Sequence, residues 1–122
     1  MQELFTRAVA GVIKQGRPSM GPNGCAYRGC DGTKCAVGFL IDDEYFDQDW
    51  NHEGVYDDPR VTEALMQSNP NHHFGSQTQN MLGQLQSAHD NFGDAPPDFF
   101  QNMFRRGAQR IAQEFGLEMP NV

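Results

Sequence analysis

Apolar side chains recur at helical spacing in four separate stretches of this 122-residue chain, and that repetition fixes most of what it can fold into. Residues 2–15 place Leu4, Phe5, Ala8, Val9, Val12 and Ile13 on one face, and Gly16 ahead of Arg17 and Pro18 stops the pattern. Asp58 and Pro59 read as the cap and first position of a second helix, with Val61, Ala64 and Leu65 inward and Asn69-Pro70 at its end. Met81, Leu85, Ala88 and Phe92 mark a third, running from Asn80 to near Gly93. Ala95-Pro96-Pro97-Asp98 opens the fourth, striped by Phe100, Phe104, Ala108, Ile111 and Phe115 and closed by Gly116. Arg105, Arg106 and Arg110 lie off that stripe, which reads as a solvated face with Asp98 and Glu114 as nearby partners.

The segments between helices carry the remaining information. Residues 18–32, PSMGPNGCAYRGCDG, hold four glycines and two prolines, so turns dominate. Residues 25–28 and 33–36 flank Gly29-Cys30-Asp31-Gly32, the pattern of a short hairpin turning at Asp-Gly. The apolar run AVGFLI from Ala36 fits either a buried strand end or a short helical turn. Residues 42–58 carry eight carboxylates among Tyr45, Phe46, Trp50 and Tyr56, which predicts a loop pinned by its rings, and residues 67–79 read as an exposed polar connection. The expected class is α+β, a helix-dominated single domain over residues 1–122 with one short β-hairpin; a five-helix bundle is the rival.

Charge and cysteine usage narrow the function. Sixteen acidic against nine basic side chains give a net charge of −7, which argues against binding nucleic acid through its phosphates. No apolar run approaches the ~20 residues of a membrane span. Glu3 and Arg7 stand where a secretion signal would carry a basic and then an apolar run, so the expectation is a soluble, unsecreted chain. Three cysteines then read as thiols of a reducing compartment, not as a disulfide framework.

The densest collection of reactive side chains is residues 24–38, GCAYRGCDGTKCAVG. Arg28 and Lys34 suit an anion such as phosphate, Tyr27 suits stacking on a base, and the glycines allow close backbone approach. The expected ligand site is therefore Tyr27, Arg28, Asp31, Lys34 and Cys35, approached by His89; the alternative is that the glycines only shape turns and the two cations pair with the acids of residues 42–58. In a second reading Asp47, Asp49, Trp50 and Tyr56 form a protein-binding surface, with the aromatics as anchors. In a third, Cys35 is a nucleophile with His89 as base, although Asp90, the next residue on the helix, points about 100° away and would not readily orient the imidazole. A zinc site from Cys25, Cys30 and Cys35 with a histidine from His52, His72, His73 or His89 fits poorly, because zinc ligands usually pair two to four residues apart. The acidic stretch also lacks the ligand spacing of a calcium loop. No cofactor is expected.

The string from Cys25 through Tyr27-Arg28-Gly29, Asp31-Gly32 and Lys34-Cys35-Ala36-Val37-Gly38 to Leu40-Ile41, with Leu85-Gln86 and His89-Asp90 downstream, resembles a family of small proteins of tailed bacteriophages and prophages. The likeness extends over nearly the whole chain, departing at Cys30 and Asp42, where the family commonly has proline. The resemblance implies a viral setting in a host cell cytoplasm and not a mechanism. By analogy of context it points to an accessory factor acting by non-catalytic binding. Its expected target is a nucleotide-like small molecule or a host defence protein, with oligomerisation a means of building a deep enough pocket.

Overall fold

A computed structural model describes residues 1–22, 24–51 and 57–122. Among the described residues it is an α+β domain of four α-helices and one two-stranded antiparallel hairpin: α1 (Gln2–Gln15), β1 (Met20–Gly21), β2 (Gly24–Cys25), α2 (Pro59–Ser68), α3 (Ser76–Asp90) and α4 (Pro97–Phe115). No helix among the described residues is long and apolar enough to cross a membrane.

Helix ends fall where local chemistry sets them. Gly16 adopts the left-handed conformation (φ 79°) and its N–H returns to Val12 O, ending α1, and Gly116 (φ 66°) does the same for α4. The Asp58 carboxylate accepts the Arg60 N–H at the start of α2, with Pro59 at the first helical position. The third helix departs from its apolar stripe. It begins at Ser76, four residues before Asn80, because its first turn is polar and buries only Thr78, and it ends at Asp90, three residues before Gly93.

The hairpin also departs from expectation. The paired strands are Met20–Gly21 and Gly24–Cys25, with Met20 opposite Cys25. The expected pairing of 25–28 with 33–36 survives as a single bridge between Arg28 and Lys34, closed by Gly29 N–H to Thr33 O (2.8 Å) and Cys35 N–H to Tyr27 O (3.2 Å). The following apolar run resolves as a 3-10 turn, Val37–Leu40, packed on α1. Gly11 makes that packing possible, since a Cβ there would meet the Phe39 ring at 2.6 Å.

The core lies among α1, this 3-10 turn, α3 and α4, and its largest side chains, Phe5, Phe100 and Phe104, are fully buried, each contributing ~1.5–3 kcal/mol. Two further 3-10 turns, Asp43–Tyr45 and Gln48–Trp50, carry the acidic segment. Phe46 and Tyr27 both meet Trp50 edge-on, at 5.2 and 5.7 Å, so the rings do pin this part of the loop. Buried Asn69 ties the Val37–Leu40 turn to the helices, donating to Leu40 O and Leu65 O and accepting from Arg7.

Candidate functional site

The side chains that stood out in residues 24–38 are occupied by the fold. Tyr27 is buried against Trp50 and offers no face to a ligand. The Arg28 guanidinium bonds the Asp43 carboxylate, donates to Ile41 O at 2.6 Å and lies over the Phe46 ring at 5.0 Å, leaving the side chain 17% exposed. Its Nε is buried without an acceptor among the described residues. The Asp43 carboxyl is held below its ordinary range by that bond and by the arginine's charge. Asp31 accepts the Thr33 hydroxyl at 2.6 Å and pairs with Arg17 across its turn. Lys34 exchanges both backbone bonds with the Gln15 amide, and its ammonium lies 5.9 Å over Phe39. Of the expected ligand residues, Tyr27, Cys35 and His89 are buried, Arg28 is paired with Asp43 and Asp31 with Arg17, while the Lys34 ammonium has no carboxylate partner among the described residues. Arg28 is neutralised by a carboxylate fifteen residues on, and no residue of this segment lines the largest described cavity.

In the Cys35, His89 and Asp90 set, Cys35 and His89 are buried and Asp90 is exposed. Cys35 is fully buried, its thiol is pushed up to about 12 by burial, and Sγ accepts the Gly38 N–H at 3.3 Å. His89 is fully buried, with its ring edge-on to Phe100. Nε2 lies 2.9 Å from the Ser19 N–H, a group that can only donate, so Nε2 carries the lone pair and Nδ1 the proton. That proton faces Asp90 Oδ1 at 2.9 Å, so Asp90 does reach its neighbour's ring, contrary to the expectation from helical spacing. The same carboxylate accepts from the Gln86 amide, whose oxygen accepts the Val37 N–H. The Leu-Gln-x-x-His-Asp pattern is thus a hydrogen-bonded relay that fastens residues 19 and 37 to α3. Both ring nitrogens of buried His89 are thereby engaged within the protein, while the Asp90 side chain is 43% exposed.

The three cysteines occupy different environments: Cys25 is half-buried, Cys30 exposed and Cys35 buried. Among the described residues the donors that converge are Cys25, His89 and Asp90, within 4.8 Å of one another. Metal at His89 Nδ1 would force the proton onto Nε2, against the Ser19 N–H, so His89 does not suit a Cys3His site; of the other expected histidines, His72 and His73 lie between α2 and α3 and His52 lies outside the described residues. Asp47 and Asp49 are exposed, Asp47 capping its own turn by accepting the Asp49 N–H. Trp50, 2% exposed, belongs to the core and is no surface anchor, and Tyr56 lies outside the described residues.

The largest described cavity is a groove of about 870 Å³ between α3 and α4. Gly107 brings the helices close at its level, since a Cβ there would meet Ala88 Cβ at 3.1 Å. The groove is floored by Phe92, Met103 and Ile111 and edged by Ser76, Ser87, Asn80, Asn91 and the amides of Gln79 and Gln84. Arg106 and Arg110, one helical turn apart, stand exposed on its α4 wall. Neither has an ion-pair partner among the described residues: Glu114 accepts from Gln84 instead, and Asp98 pairs with no arginine. The basic face that reads in sequence as merely solvated therefore borders the groove. Comparison with protein-family models, with curated proteins and with solved structures finds no match.

Proposed function

We propose that this is a non-catalytic binding protein, a bacteriophage accessory factor of the host cytoplasm, that captures a nucleotide-like anion in the α3–α4 groove. The observation that carries this reading is Arg106 and Arg110, two guanidinium groups with no carboxylate partner among the described residues, set beside an apolar floor in a chain of net charge −7. An acidic protein repels anions at long range, so cations left unneutralised at a concavity favour a ligand that brings its own negative charge. Guanidinium groups one turn apart match the oxygens of a phosphate. Phe92 and Met103 offer an apolar surface to a heterocycle, and the amides along α3 offer donors and acceptors to its edges. The volume lies within the ~300–1,000 Å³ of small-molecule sites, so one subunit suffices without an oligomeric pocket.

The reading that a host protein docks on the acidic segment has less support, because Trp50, one of its two expected aromatic anchors, is inside the core. Calorimetry with a panel of nucleoside monophosphates, cyclic mononucleotides and cyclic dinucleotides tests the proposal. Arg106→Glu with Arg110→Glu weakens the best binder by about 100-fold or more, since each charged hydrogen bond contributes ~1.5–3 kcal/mol. A panel with no binder, or a double variant that binds unchanged, overturns it.

A further inference from the structure

The β1–β2 register places Met20 directly opposite Cys25, with Sδ and Sγ 3.6 Å apart. Gly93, itself buried, closes over this pair: a Cβ there would lie 2.5 Å from Cys25 Sγ and 3.2 Å from Met20 Sδ. Asp90 approaches from the same side, its carbonyl oxygen 3.8 Å from Sγ and its carboxylate within 4.8 Å. The hydrogen bond from Ser19 removes His89 as a donor, which leaves a thiol and a thioether as the two principal ligands. With metal–sulfur bonds of ~2.3 Å, sulfurs at this spacing subtend about 100° at a shared ion.

We propose that Met20 and Cys25 form a binding site for Cu(I). Thiolate and thioether together select a soft ion, whereas zinc prefers thiolate, imidazole and carboxylate. Binding exchanges one proton for one ion: the S–H bond breaks, the S–Cu bond forms, the proton goes to solvent and copper keeps its oxidation state.

The test uses the full chain carrying Cys30→Ser, which removes the exposed competing thiol. Anaerobic titration with Cu(I) against the chelator bicinchoninate yields one ion per chain. Cys25→Ser abolishes retention, and Met20→Leu weakens it by about tenfold or more. Zn(II), offered in the same way, is not retained. Cu(I) also shifts the Met20 methyl resonance of the Cys30→Ser protein, a readout that stands if a second substitution unfolds the chain. Copper that stays wholly with the chelator, unchanged affinity in Met20→Leu, or an unmoved Met20 methyl signal overturns the proposal.

Discussion

The Nε2 of His89 accepts the backbone N–H of Ser19 at 2.9 Å across 70 residues of chain, inside a fully buried pocket. This bond, with the Asp90 and Gln86 relay behind it, is what holds the hairpin to α3. His89→Ala strands a buried donor and opens a cavity, and the expected cost is about 2–4 kcal/mol. His89→Gln, which offers an acceptor oxygen, recovers part of it. Urea unfolding measures both, and a loss in His89→Ala no larger than the ~0.5 kcal/mol of an ordinary surface substitution contradicts the assigned role.

Arg28 is a structural cation. Arg28→Ala removes its bonds to Asp43 and Ile41 O and its contact with Phe46, at a cost of about 1–3 kcal/mol. The Asp43 carboxyl is held below its ordinary 3.8, so the pair's contribution is complete above that value and is lost as pH falls through the lowered one. Acid unfolding followed by circular dichroism therefore begins at higher pH in Arg28→Ala, and superimposable acid limbs would show that the pair contributes nothing.

The thiols divide by environment. Exposed Cys30 alkylates first at pH 8, while Cys25 and Cys35, with pKa values raised to about 11 and about 12, stay protonated and unmodified in the folded chain. Folding favours the neutral thiol at both positions. Stability is therefore full below the ordinary value of 9.0 and declines as pH climbs from there toward 11 and 12. Mass mapping after timed iodoacetamide treatment checks the order, and early modification of Cys35 refutes it.

Gly38 lies against the Tyr27 carbonyl, where a Cβ would sit 2.3 Å from the oxygen. Gly38→Ala forces the 3-10 turn away from the bridge segment and costs about 1–3 kcal/mol. Thermal unfolding measures it, and a melting temperature equal to the parent's would mean that the turn shifts freely.

What was legible in the sequence was local. Gly16, Asp58-Pro59 and Gly116 end or start helices through their own backbone and side-chain chemistry, so the boundaries of α1, α2 and α4 read correctly. The start of α3 did not, because the turn from Ser76 to Gln79 is polar and buries one threonine. The hairpin was misplaced because its strands are two residues long and contacts such as His89 with Ser19, distant in sequence, position them. The same blindness moved the candidate site. Arg28 looked available because nothing local shows that Asp43 closes on it, and Arg106 and Arg110 looked merely solvated because the groove exists only once α3 and α4 meet near Gly107.

The most direct test of the central claim is a two-dimensional ¹⁵N–¹H spectrum of the labelled protein titrated with the best-binding nucleotide of the panel. The account predicts shifts at Gln84, Ser87, Arg106, Gly107 and Arg110, with Arg28 and Lys34 unmoved. Shifts centred on residues 24–38 that leave α3 and α4 unchanged would contradict it.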